Sequence, residues 1–194
     1  MMTRISMDDH IDAVTDDHRF SPLAYGSELW TFEHLEAFAF HTPVEASPGS
    51  SVSVAVVVFF SNHCFSREVE PGEVVDEAHV VMDGSIRRVL DKTRYALSRE
   101  YLPRLIQELQ TRSIKVADPS RPNFVTFEVQ PAEPGTPASN YAVFFEVRRD
   151  SRRKGRLLLR VQSGYVLERL THRLRDAKKM SFRVILKNAY TRKR

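Results

Sequence analysis

The sequence predicts an α+β single domain: a mixed or antiparallel sheet of five to six strands with two main helices. Three observations predict it. A β-branched run, "VSVAVVVFF" (Val52–Phe60), has strand length and is apolar on both faces after Ser53, the pattern of a strand covered on both sides. Three further runs between residues 123 and 166 alternate apolar and polar positions. Two segments, "LPRLIQELQ" and "LERLTHRLRDAKK", carry leucines at helical spacing.

Taken in order, residues 1–20 hold Asp8, Asp9, Asp12, Asp16 and Asp17 and few large apolar groups. They read as an acidic, disordered or loosely docked tail, and residues 21–194 as the single domain. "ELWTFEHLEAFAF" (28–40) has too many aromatics for a free linker and anchors that end to the core as a short helix or strand. "HTPVEASPGSS" reads as a loop. "EVEPGEVVDE" contains a Pro-Gly turn, and "AHVVM" a short strand. In "DKTRYALSREYLPRLIQELQ", Leu102, Leu105, Ile106 and Leu109 share one helical face. Pro103 fits best near a helix start, so a break near Tyr101 is expected, with the firm helix running from Pro103 to Gln110. "NFVTFEV" (Asn123–Val129), "YAVFFEV" (Tyr141–Val147) and "RLLLRVQSGYV" (Arg156–Val166) follow as strands, the last two as a hairpin with a basic tip. "PAEPGTPASN" connects the first two of these as a turn-rich segment. A helix on Leu167, Leu170 and Leu174 and a final strand, "FRVILK" (Phe182–Lys187), complete the order.

No run of 18 or more apolar residues occurs, so no membrane-spanning helix is expected. The first residues lack the apolar core of a secretory signal. A single cysteine forms no internal disulfide, which points to a reducing cytoplasm. No phosphate-cradling Gly-rich loop and no zinc-ligand spacing occurs, so neither cofactor nor metal is expected.

The net charge of +4 hides a division. Residues 148–194 carry 17 Lys and Arg against 3 Asp and Glu; residues 1–147 carry 12 against 22. A C-terminal balance of +14 beside −10 points to a basic surface for a polyanion or to two halves that neutralise each other. The basic tip "RRDSRRKGR" has six basic residues in nine. Arg152, Arg153, Lys154 and Arg156 there, with Arg169, Arg173, Lys178 and Lys179 further on, are the candidate contacts to RNA or DNA phosphates. "TRKR" extends the set at the tail. Tyr141, Tyr165 and Tyr190 lie near these segments as stacking candidates.

Candidate catalytic residues are His63 and Cys64 in "FSNHCFSRE", and His172 in the C-terminal helix. A cysteine nucleophile needs a base that lowers its pKa. Neighbours on an extended strand point to opposite faces, so His63 and Cys64 meet only if Ser61 and Asn62 bend the chain. The bland alternative is a strand end with a buried thiol. Phosphodiester cleavage would need an acid and base beside a cationic clamp, for which His172, Arg160, Arg173 and Lys187 are the available side chains.

The order of "LPRLIQELQ", "NFVTFEV", "YAVFFEV" and "RLLLRVQSGYV" is similar to the RelE/ParE-type toxin core, a small antiparallel sheet with helices on one face. The resemblance covers about 70 residues, is one of topology, and transfers no catalytic residue. The long apolar strand before the helix departs from that core. "FSNHCFSRE", "RYALSREYLP" and "YAVFFEV" resemble bacterial proteins labelled "stationary phase growth adaptation protein", which implies a stress-adaptation role but no chemistry. The leading expectation is a cytoplasmic bacterial protein whose basic C-terminal surface contacts nucleic acid, as a toxin-like or mobile-element factor. The others are a non-catalytic interaction module that self-associates or binds a protein partner through its acidic and basic halves, and an enzyme using His63 and Cys64.

Overall fold

The computed structural model describes residues 2–118, 120–121, 123–130 and 139–192. Its strands are β1 (Arg4–Ile5), β2 (Leu23–Tyr25), β3 (Glu28–Trp30), β4 (Phe38–Ser47), β5 (Ser50–Phe60), β6 (Ser66–Glu68), β7 (Val80–Asp83), β8 (Ile86–Leu90), β9 (Ile114–Asp118), β10 (Asn123–Gln130), β11 (Ser139–Arg149), β12 (Arg156–Leu167) and β13 (Lys179–Met180). The helices are α1 (Lys92–Gln107), α2 (His172–Asp176) and α3 (Phe182–Thr191). The main sheet has eight strands in the order β1-β4-β5-β12-β11-β10-β9-β13. Its neighbours are antiparallel except β5 and β12, which run parallel from Arg156 opposite Ala55 to Val161 opposite Phe60. Two small sheets, β2-β3 and β6-β8-β7, stand beside it.

The expected sheet of five to six strands with two main helices is therefore corrected to eight strands with one long helix and two shorter ones. Three local readings account for the difference. "HTPVEASPGSS" is not a loop: its residues finish β4 and begin β5, and the hairpin turns at Gly49, whose φ of 76° suits a residue without Cβ. The run "FRVILK" is the start of α3, not a strand. Ser181 caps it by accepting a hydrogen bond from the Val184 amide, and Phe182, Ile185 and Leu186 fall on one buried face. The helix expected from Leu167 shrinks to α2, because β12 runs on to Leu167, paired with Asn140, and Thr171 caps the helix that follows. Pro103 lies inside a continuous α1 rather than near its start; the carbonyl deprived of its helical donor belongs to exposed Arg99, where water can satisfy it. The turn-rich connector expected after β10 falls mostly on residues 131–138, outside those described.

One sheet face carries the core. Val56, Val58 and Phe60 of β5, Leu157, Leu159 and Val161 of β12, and Val143, Phe145 and Val147 of β11 pack beneath Leu102, Leu105, Ile106 and Leu109 and beneath the buried face of α3. Trp30 stacks between Tyr25 and Tyr95, at 4.3 and 4.1 Å, and ties β3 to α1. The opposite face is covered in two places. Leu174 of α2 lies over Val125 and Ala142. Ala13 and Val14 lie over Ala39, Val57, Phe59 and Leu158. Residues 2–20, expected as a disordered or loosely docked acidic tail, thus include β1 and a short 3-10 turn over the face of β5 that the helices leave bare. A central strand apolar on both sides requires such a cover.

An ion-pair cluster fastens that cover. Arg156, only 1% exposed, donates from Nε to Asp150 and bidentately to Asp12 at 2.7 and 2.9 Å. The hydrogen bonds from Arg156 hold the Asp12 carboxyl down, from an ordinary 3.8 to about 2. A depressed carboxylate contributes stability above its unfolded value and loses it as pH falls through the folded one. The 2–20 segment is expected to stay bound above about pH 4 and to loosen as the pH falls toward about 2, visible as faster amide exchange or proteolysis confined to that segment. Leu105 is fully buried between α1 and the sheet; Leu105→Ala is expected to cost about 2–5 kcal/mol by urea unfolding.

Candidate functional site

The structure divides the eight predicted cationic contacts between two places. Arg152, Arg153 and Lys154 stand exposed on the turn between β11 and β12. Arg149, just before the turn, sits over the Tyr190 ring of α3 at 5.5 Å, and the Arg153 guanidinium bonds the Asp9 carbonyl. Arg156 is withdrawn from the set: buried and fully paired, it organises the turn and presents no charge to solvent. Arg169, Arg173, Lys178 and Lys179 are exposed too, but they follow the other end of β12. Lys179 lies on β13, paired with Lys115 of β9 at the sheet edge four strands from β12, so the two groups stand apart. Arg173 is paired with Asp118 at 3.4 Å, and Lys187 with Glu45 at 2.7 Å. Of the tail "TRKR", Lys193 and Arg194 lie outside the described residues.

The stacking candidates separate likewise. Tyr141 is buried, its hydroxyl without a partner, in van der Waals overlap with any side chain larger than hydrogen at Gly164. Tyr165 is half-buried against Phe144. Tyr190 alone of the three lies beside the basic turn. His172 is exposed with its ring 3.2 Å from the Arg175 guanidinium.

At the end of β5 the chain does bend. Ser61 accepts from the His63 amide and starts a 3-10 turn, Asn62–Cys64, that sends His63 and Cys64 in different directions. Cys64 is fully buried in the core, and burial pushes its thiol up to about 12. A thiol so placed supplies no thiolate at neutral pH, so the Cys64 nucleophile is corrected to a core residue. His63 points outward and donates from Nε2 to the Asp83 carboxylate at 2.6 Å; the two side chains are 29% and 33% exposed. Burial lowers the His63 pKa below 6.5 and outweighs the opposing pull of Asp83. His63 is therefore neutral at pH 7, with Nδ1 free as an acceptor. The contact is a charge-assisted hydrogen bond, and it holds Asp83 below its ordinary range. Asp83 reaches this position because β7 and β8 turn sharply at Gly84, φ 59°. His79 lies elsewhere, stacked on Tyr25.

Two further residues join the group. His18 rests on Phe59, ring centroids 4.8 Å apart, and donates from Nδ1 to the Phe60 carbonyl at 2.9 Å. Burial lowers its pKa, and the charge of Arg160 adds to the effect. Arg160 lies on β12 opposite Phe59, and the same charge acts on His63 and Asp83. His18 also lines a cavity of about 500 Å³ between the N-terminal segment and residues 31–37, with Phe20, Phe32, Leu35 and Arg19 on its walls. Sequence reasoning singled out His63 and Arg160 but not His18 or Asp83. Their spacings to His63, 45 residues before and 20 after, carry no local periodicity; only the aspartate–glycine turn at Asp83 marked a defined geometry.

The fold and site define a mixed α and β protein, an eight-stranded sheet with a histidine–aspartate–arginine group at the end of its central strand. The model of the YjaZ family matches residues 22–190, and the chain belongs to that family. No curated protein and no solved structure matches the chain. Among the described residues no helix is long and apolar enough to cross a membrane.

Asp83 supports the protonated form of His63. The His63 ring is expected to titrate below 6.5 in the native protein, and Asp83→Asn to lower it further, both read from ring proton shifts in NMR.

Proposed function

We propose that the protein is a cytoplasmic bacterial protein that binds nucleic acid through the basic end formed by the β11–β12 turn and the end of α3. The observation that carries the reading is the set of cations left without carboxylate partners there. Among the described residues, Arg148, Arg149, Arg152, Arg153 and Lys154 are exposed and form no ion pair, whereas Arg156, Arg173 and Lys187 are each paired with an acid. Five like charges within residues 148–154 raise the potential around the turn, and phosphate oxygens relieve that repulsion while releasing counterions. Tyr190 adds a ring beside the patch, of the kind that stacks on an unpaired base.

A second reading has support of its own. The acidic and basic halves neutralise each other within one chain through Asp12 and Arg156, Glu45 and Lys187, and Asp118 and Arg173. These contacts neutralise three of the seventeen C-terminal cations without any partner. They leave the turn cations unaccounted for, which is why nucleic-acid contact is preferred.

Fluorescence anisotropy with a labelled single-stranded RNA and a labelled DNA duplex, repeated across salt concentrations, tests the proposal. Log affinity is expected to fall linearly with log salt. Replacing Arg152, Arg153 and Lys154 together by serine is expected to flatten the slope by roughly 2–3. Replacing Lys178 and Lys179 by serine, beside β9 at the edge of the sheet, should leave it unchanged. No binding at low salt, or equal losses from both variants, would remove the turn as the interface.

A further inference from the structure

Arg160 is the one arginine among the described residues that is not exposed and yet has no hydrogen-bond or ion-pair partner. The others in partly or fully buried positions are all satisfied. Arg67 meets Glu73, Arg88 meets Ser66 and Glu68, and Arg94 donates to the carbonyls of His63 and Ser66. Arg112 meets Glu108 and Glu128, and Arg156 meets Asp12 and Asp150. Arg160 differs: its Nε is buried and bonded to nothing. Its nearest acid in register, Glu146 on β11, forms no ion pair with it. A buried guanidinium N–H left without an acceptor is costly, even where the rest of the side chain reaches solvent. A protein that keeps such a group on a strand paired on both sides, where the backbone cannot swing away, holds a preformed half of an ion pair.

We propose that Arg160, flanked by His18 and His63, is the binding site for a single oxyanion group, phosphate or carboxylate, carried by a small molecule. The guanidinium presents a planar fork of donors to such a group. The parallel register sets Arg160 beside Phe59, and His18 lies on that same Phe59 ring, bonded to the next residue's carbonyl. His63 follows Phe60 by three positions and is held in orientation by Asp83. With Nδ1 of His18 given to the Phe60 carbonyl and Nε2 of His63 given to Asp83, each ring keeps one nitrogen free for the ligand or its proton. The cavity beyond His18, with Phe20, Phe32 and Leu35 on its walls, has room for an apolar remainder. This site is separate from the basic turn, and its test does not depend on nucleic-acid binding.

The experiment titrates the intact chain with inorganic phosphate and, separately, with acetate at constant ionic strength, following the His18 and His63 ring resonances and the urea midpoint. At least one anion is expected to shift both rings saturably and to raise the midpoint. A response to phosphate alone assigns a phosphoryl ligand; a response to acetate alone assigns a carboxylate; a response to both assigns an oxyanion site that admits either. Arg160→Met removes the buried unpartnered Nε–H, so the anion-free variant is expected to be at least as stable as the parent while losing the anion response. Arg160→Gln serves the same purpose if the methionine variant does not fold. Arg152→Ser, at the basic turn, should keep the response in full. No saturable shift with either anion, or an equal shift in the Arg160 variants, would overturn the proposal.

Discussion

The parallel pairing of β5 with β12 is the contact on which the rest of the molecule depends. It joins an N-terminal meander to a C-terminal one, about a hundred residues apart in sequence, through a six-residue register from Ala55 to Phe60. Local turns build each meander alone, since β4 and β5, or β11 and β12, are hairpins with short closures. The join between them has no such help and rests on side-chain burial. Val56, Val58, Leu157 and Leu159 have essentially no exposure, and they meet the same helices from adjacent strands. Apolar burial on this scale is the main favourable term in folding.

That join also dictates where polar groups may stand. The second face of β5 and β12 is closed by residues 2–20, and Arg156 fastens the closure from the first position of the parallel ladder. A buried ion pair is weak evidence of net stability, because desolvating both partners offsets most of their attraction. Its clearer effect here is geometric. One guanidinium binds an acid from its own turn and an acid from the chain's beginning, and so sets the place of the cover. Part of the charge division in the sequence is thus internal architecture, through the pairs of Arg156, Arg173 and Lys187, and unpaired surface cations remain on the turn and on the segment beyond β12.

The end of β5 concentrates the remaining unusual chemistry. Where β5 stops and β12 continues, the Asn62–Cys64 turn turns Cys64 into the core and His63 toward Asp83. Arg160 and His18 arrive at the same place from the parallel neighbour and from the N-terminal cover. Four residues spread over more than a hundred positions become one polar group because three separate packing decisions meet there.

Local features of this protein were legible before any coordinates. The alternation at Asn123–Val129, Tyr141–Val147 and Arg156–Val166 matches β10, β11 and β12, and the apolar run to Phe60 matches β5. The helical face from Leu102 to Leu109 is buried as its spacing required. Short apolar runs were ambiguous, and "FRVILK" became helix because a serine cap and a buried face outweighed its β-branched content. The number of strands, the covering role of the acidic beginning, the burial of Arg156 and Cys64 and the meeting of His63 with Asp83 were decided by the tertiary structure alone. Periodicity reports which side of an element is apolar; it carries no record of which distant element will cover that side, and every one of these features depends on that choice.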